Sequence, residues 1–260
     1  MLSKEEYDSY CSRFKKAWGF LKKYSIPQPQ VIEEVCELRT TGGRVYEVER
    51  MRDILETAEF IYLNEDKCDI EKLKVLGDDL ALFSHKGNFL LSGRYIFPVK
   101  DMIGNVIALI GWYPDEKKYV TTPSRLFSKN CMFYGMEQLD NRGKIGGKYF
   151  LVEGIFDSLS IRSLGYNAIA QMGISDSKYK QLMYSLFGRI IAIPDADKQG
   201  REVIQKNKWN IPSNASYFKW SGIPWAKDID DVVNGFEYDD VKEMLGELWN
   251  DKSRIITLNM

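Results

Sequence analysis

Histidine and cysteine are scarce in this 260-residue chain: one histidine, His85, and four cysteines, Cys11, Cys36, Cys68 and Cys131, far apart and with no C-x-x-C pair. That excludes the clustered ligands of a structural zinc site and fits reduced thiols in a cytosolic protein. No run approaches the ~20 apolar residues that span a bilayer. The first residues, Met1-Leu2-Ser3-Lys4-Glu5-Glu6, are charged and hold no apolar signal core. The expectation is therefore a cytoplasmic protein with no membrane partner. An excess of either charge is also missing: 36 Lys and Arg against 37 Asp and Glu give a net charge of −1. This excludes a whole-surface electrostatic grip on nucleic acid while leaving room for a local basic patch. There is no G-x-x-x-x-G-K-[ST] loop, hence no P-loop motor, and no internal repeat or low-complexity segment.

What is present is ordinary globular composition, 44% apolar and 28% charged, sufficient for a core without disulfides. Residues 1 to about 80 read mostly as helices. Tyr7, Tyr10, Cys11, Phe14, Trp18 and Leu21 recur at three- and four-residue spacing ahead of the Ile26-Pro27-Gln28-Pro29 break. A second helix is predicted over roughly Glu47 to Leu63 and a third over Ile70 to Leu76. Near residue 88 the pattern changes. Arg94 to Val99 and Val106 to Trp112 predict a hairpin around the Lys100–Asn105 turn, with a short strand at Lys118 to Thr121. A polar, glycine-rich stretch from Asn141 to Lys148 reads as a linker. Beyond it, short apolar runs at Tyr149 to Val152, Ala168 to Ala170, Ile190 to Ile193 and Ser216 to Phe218 alternate with helical stretches. These lie at Asp157 to Ser163, Ser177 to Leu186 and Gly200 to Lys208, and a closing helix is predicted at Asp239 to Trp249. Strand–helix alternation of this kind predicts a mostly parallel sheet with flanking helices. The expected division is an α+β subdomain over 1–146, helical to 85 with a small sheet over 86–140, and an α/β domain over 147–260.

Carboxylates stand at the ends of these strands. Glu153 follows Phe150-Leu151-Val152, and Asp157 lies one helical turn later. Asp195 and Asp197 follow Ile190 to Ile193, and Asp228 and Asp230 follow the loop after the next strand. Open parallel sheets place their sites outside the carboxyl ends of the strands, so these groups should converge. Clustered carboxylates repel one another unless a cation sits between them. Hard oxygen donors suit Mg²⁺ or Mn²⁺, and such a site suits phosphoryl transfer.

The motif Val152-Glu153-Gly154-Ile155-Phe156-Asp157 resembles the opening of the TOPRIM domain of DnaG-type primases. Pro194-Asp195-Ala196-Asp197-Lys198-Gln199-Gly200-Arg201 resembles its D-x-D segment, and Lys227-Asp228-Ile229-Asp230-Asp231 its later acidic segment. Arg94 to Val99, Lys118-Tyr119 and Phe127-Ser128-Lys129 through Gly135 are similar to the segment upstream of TOPRIM in those primases. The similarity spans roughly residues 90 to 235, without the zinc-binding or helicase-binding modules of bacterial primases. The resemblance implies a TOPRIM-like α/β fold and synthesis of short RNA primers on single-stranded DNA from nucleoside triphosphates. It further implies a metal ligand or general base at Glu153, Mg²⁺ or Mn²⁺ held by Glu153, Asp195, Asp197, Asp228 and Asp230, and a supporting Asp157. Arg94, Lys118 and Lys129 would bind template or nucleotide phosphates. A replicative helicase or a separate zinc-bearing chain is the expected helper. A TOPRIM-type nuclease and a non-catalytic adaptor of a replication complex remain open alternatives.

Overall fold

The computed structural model describes residues 3–26, 28–41, 48–77, 80–113, 118–122, 133–139, 146–172, 177–213, 215–221, 226–251, 253 and 255–256. The chain divides into two compact units, Met1–Lys129 and Asn130–Met260.

The first unit opens with α1 (Lys4–Lys23). Ser3 and Glu6 close its start as a capping box, with Glu6 N donating to Ser3 Oγ (3.2 Å) and Ser3 N to Glu6 Oε2 (2.7 Å). The predicted apolar stripe is its buried face: Tyr10, Cys11, Phe14, Trp18 and Leu21 are all inside. The break expected at the prolines separates α1 from a further helix, α2 (Gln28–Thr41), which was not delimited in the sequence. Pro29 falls in the first turn of α2, where a missing N–H is harmless. One expectation is corrected in the segment that follows. Helix α3 ends early, spanning Val48–Glu56, and Ile61–Tyr62 form a strand, β1. There tertiary pairing overrides helical periodicity, because Ile61 and Tyr62 align antiparallel with Ile96 and Tyr95. The small sheet thus recruits residues from the stretch expected to be helical.

Helix α4 (Ile70–Gly77) precedes the predicted hairpin of β2 (Tyr95–Lys100) and β3 (Val106–Tyr113), and β4 (Lys118–Thr121) completes an antiparallel sheet in the order β1-β2-β3-β4. Asp101 shapes the hairpin turn, its Oδ1 accepting from Ile103 N (3.0 Å) and Asn105 N (2.8 Å).

The second unit is the expected parallel α/β arrangement. A 3₁₀ turn over Met136–Leu139 leads to β5 (Lys148–Val152), α5 (Ile155–Ser163), β6 (Ala168–Ala170), α6 (Lys178–Tyr184), β7 (Arg189–Ile193), α7 (Lys198–Lys206) and β8 (Ser216–Phe218). Then come α8 (Ile229–Gly235), α9 (Tyr238–Asn250) and β9 (Ile255–Ile256); α8 and β9 were not legible in the sequence. The strand order is β6-β5-β7-β8-β9, every pair parallel. From β5 the chain crosses to β6 on one side, and from β7 to β8 on the other. The direction of winding therefore reverses between β5 and β7. Crevices in open sheets form at this reversal, at the carboxyl ends of the strands.

Candidate active site

Glu153 leaves the end of β5 and Asp195 leaves the end of β7, so the two stand on the two strands that flank the reversal. They touch: Asp195 N donates to Glu153 Oε1 at 3.2 Å. Asp197 is the N-cap of α7, its Oδ1 accepting from Gly200 N (2.8 Å). Asp228 is the N-cap of α8, its Oδ1 accepting from Asp231 N (2.8 Å). A carboxylate at a helix start is stabilised by the unsatisfied N–H groups there. The loops beneath these caps are tied together by Ala196 N donating to Lys227 O at 2.6 Å.

Close packing sets the shape of the Asp195–Asp197 loop. A Cβ on Gly200 would overlap the carbonyl of Asp195, so only glycine lets α7 start this near the loop. Behind Glu153, Met172 takes φ +60° and donates its N–H to Glu153 O (3.0 Å), while Gln171 N donates to Val152 O (2.7 Å). The buried Lys180 fixes the same turn, Nζ donating to Gln171 O at 2.5 Å. Gly200 and Met172 stand in segments that carry the family resemblance but were given no role of their own, and Lys180 was not singled out in the sequence. The lysine's interior position was hidden, because α6 is exposed at neighbouring Tyr179 and Leu182.

Asp157 and Asp230 are placed differently from the other acids, at 7% and 3% exposure. Asp157 accepts from Gly154 N (3.0 Å) and from Asp230 N (3.3 Å). The carboxylate of Asp230 accepts from Ser160 Oγ (2.5 Å) and Asn234 Nδ2 (3.0 Å).

The electrostatics record a lack of positive charge. Burial pushes the Asp195 carboxyl up to about 8, with Glu153, Asp228, Asp197 and Asp231 adding repulsion. Burial likewise raises Glu153, reinforced by Asp197 and opposed by the Asp195 N–H. Asp157 is raised well above the usual carboxylate range by burial, then by Asp228, Asp195 and Asp230. The acids at two strand ends and three helix starts thus share one field. The donor chemistry fits a hard divalent cation: carboxylate oxygens of Glu153, Asp195, Asp197 and Asp228, repelling one another. Among the described residues no three His, Cys, Asp or Glu side chains already meet at one coordinating point, so ligation would require these side chains to close on the ion.

Of the expected phosphate-binding residues, Arg94 lies just before β2. A Cβ on Gly111 of β3 would come within 2.6 Å of Arg94 Cδ, so the glycine makes room for the arginine arm. The guanidinium sits 5.9 Å from the Tyr113 ring centroid, and its Nη1 is buried without a hydrogen-bond partner. Lys118 opens β4 opposite Tyr113, with its side chain outside the described residues. Lys129 lies wholly outside them.

The sheet order and the acid-bearing loops define an α/β domain of one class: residues 150–233 match the family model described as Toprim-like. The chain as a whole has the fold of the DnaG primase catalytic core. It superposes on the DnaG primase catalytic domain bound to single-stranded DNA with a TM-score of 0.69 at 17% identity, covering 94% of this chain and 83% of that one. With the zinc-binding and RNA polymerase domains of Aquifex aeolicus primase the TM-score is 0.68 at 22% identity, covering 97% and 62%. In sequence it is similar to the DNA primase of Thermotoga maritima, 32% identical over 113 residues, which cover 42% of this chain and 20% of that protein. It is also similar to the DNA primase of Synechocystis, 28% identical over 154 residues, covering 54% and 24%. The matches thus cover between a fifth and a quarter of the length of these two relatives. No helix among the described residues is long and apolar enough to cross a membrane.

Proposed function

We propose that this chain is the catalytic core of a DNA primase, joining nucleoside triphosphates into short RNA primers on a single-stranded DNA template. The observation that carries the reading is the convergence of Glu153, Asp195, Asp197 and Asp228 at the winding reversal of a Toprim-like sheet. The sequence relatives, all DNA primases, support the same reaction.

Glu153, Asp195, Asp197 and Asp228 would hold Mg²⁺ or Mn²⁺. Bound there, the ion supplies charge neutralisation for the incoming triphosphate and for the attacking and leaving oxygens. Glu153 has a further use. At the end of β5, beside Asp195, it would also suit a base that takes the proton of the attacking hydroxyl. Asp157 and Asp230, committed to hydrogen bonds inside the fold, serve these acids from behind. Asp230 is therefore the least suited of the expected ligands to bind an ion directly.

Arg94, Lys118 and Lys129 would bind phosphates of template or nucleotide. The orphaned Nη1 of Arg94 supports this, since a phosphate oxygen is the partner such a fork accepts best. A helicase or a separate zinc-bearing chain would help select the start site.

The test is to incubate the protein with single-stranded DNA, nucleoside triphosphates and Mg²⁺ or Mn²⁺. New oligonucleotides are expected. Shortened DNA would replace the primase reading with a nuclease, and neither product would leave an adaptor.

A further inference from the structure

Asp228 and Glu153 sit on different elements, and a buried chain of hydrogen bonds joins those elements behind them. Gly154 N, next to Glu153, donates to Asp157, and Asp157 accepts from Asp230 N, two residues beyond Asp228. The link ends on two residues to which the sequence assigned no role. Ser160, fully buried on α5, donates Oγ to Asp230 Oδ1 at 2.5 Å. Asn234, one turn along α8 from Asp230, donates Nδ2 to both the main-chain oxygen (2.7 Å) and Oδ1 (3.0 Å) of Asp230.

We propose that Ser160 and Asn234 are positioning residues of the metal site, holding Asp230 and thereby the first turn of α8, with Asp228 at its cap, in register with Glu153. The inference rests on the metal-dependent reading above. Its geometry leaves little choice of orientation. Asn234 Oδ1 is buried with no hydrogen-bond partner, and turning the amide over would set that oxygen against the carboxylate and carbonyl of Asp230. The amide tolerates an unpaired acceptor in order to keep its donor on Asp230. Ser160 brings the other donor across from α5, so the two helices are joined through one carboxylate. Groups behind a metal's ligands fix ligand direction, and their loss typically lowers metal affinity about 10–100-fold.

The measurement is Mn²⁺ affinity of the full chain, read from the electron paramagnetic resonance signal of free Mn²⁺, together with thermal unfolding in EDTA. Ser160→Ala and Asn234→Ala should each weaken Mn²⁺ binding by roughly 10-fold, and Ser160→Thr should recover much of the loss. Ser163→Ala is the control: it removes another α5 hydroxyl, bonded to Ser160 O at 2.8 Å, without touching Asp230. It should leave Mn²⁺ affinity unchanged. Asn234→Ala keeps the test alive should Ser160→Ala fail to fold. Folded Ser160→Ala and Asn234→Ala proteins that bind Mn²⁺ like the parent would overturn the proposal, as would an equal loss in Ser163→Ala. A parent protein that binds no Mn²⁺ would instead overturn the metal-dependent reading itself, and the positioning role with it.

Discussion

Replacing Asp195 with asparagine should stabilise the protein when metal is withheld and weaken it as an enzyme. The carboxyl of Asp195 is raised from 3.8 to about 8, chiefly by burial and then by Glu153, Asp228 and Asp197. Between those two values the folded protein keeps a proton that the unfolded chain has lost. Stability without metal therefore falls as pH rises through this window. Each pKa unit corresponds to about 1.4 kcal/mol, which sets a ceiling of roughly 6 kcal/mol on the full shift. Glu153 and Asp157 are raised by the same field and would take up part of the released proton, so a net gain of about 1–3 kcal/mol is expected for Asp195→Asn at pH 8.5. At about 2–4 °C per kcal/mol this is a visible rise in Tm. Thermal unfolding in EDTA at pH 5.5 and 8.5 is the assay. The variant should unfold later than the parent at both pH values, with the larger advantage at pH 8.5, because the loss begins just above 3.8 and is complete only near 8. Added Mn²⁺ should raise the Tm of the parent and do much less for the variant, and primer synthesis should drop on the order of 10²–10³-fold. Parallel unfolding curves at both pH values would refute the idea that Asp195 is held against its charge.

The same raised carboxyls make metal binding a competition with protons, so Mn²⁺ affinity should climb from pH 6 to 8.5, and a titration flat in pH would argue against these ligands. Gly200→Ala drives a Cβ into the Asp195 carbonyl; it should lower both Tm and primer yield, and a variant of full activity would show that the loop has slack. Arg94→Ala should weaken single-stranded DNA or nucleotide binding and flatten its salt dependence by about 0.7 in slope per lost phosphate contact, and unchanged binding would remove Arg94 from the phosphate set. In the first unit, burial opposes ionisation of Glu59, but Lys100 and Lys22 (2.6 and 2.8 Å) overcome it and hold its carboxyl at about 2. Its contribution is present above the ordinary carboxylate pKa and is lost as pH falls toward 2, so Glu59→Gln should flatten acid unfolding in that range.

The second unit was legible because its signals are local: short buried runs alternate with helical stretches, β5 and β7 run into acids, and α6 and α7 begin on the capping side chains of Ser177 and Asp197. Strands β5 to β8 and the acid-bearing loops follow from those marks. The missed parts depend on partners distant in sequence. Ile61 and Tyr62 look helical until β2 stands beside them, and Ile255 and Ile256 become a strand only through Tyr217 and Phe218. In the site, spacing alone treats Asp228 and Asp230 as equivalent. One caps α8, and the other is drawn inward by Ser160, about 70 residues earlier. The one available hint was a serine three positions after Asp157, on a helix whose buried side is otherwise apolar except for Ser158.

On the proposed metal-dependent reading Asp197 and Asp228 would each have two employers, since the oxygens that close the first turns of α7 and α8 belong to carboxylates assigned to the ion. Loading the site therefore reaches the helix ends directly. If an ion draws either carboxylate away from its cap, the amides of Gly200 and Asp231 lose their acceptors and exchange faster with solvent; if the second oxygen does the ligating, the caps tighten and exchange slows. The two helix starts thus act as built-in reporters of occupancy, readable by hydrogen exchange at two backbone positions without following the reaction at all.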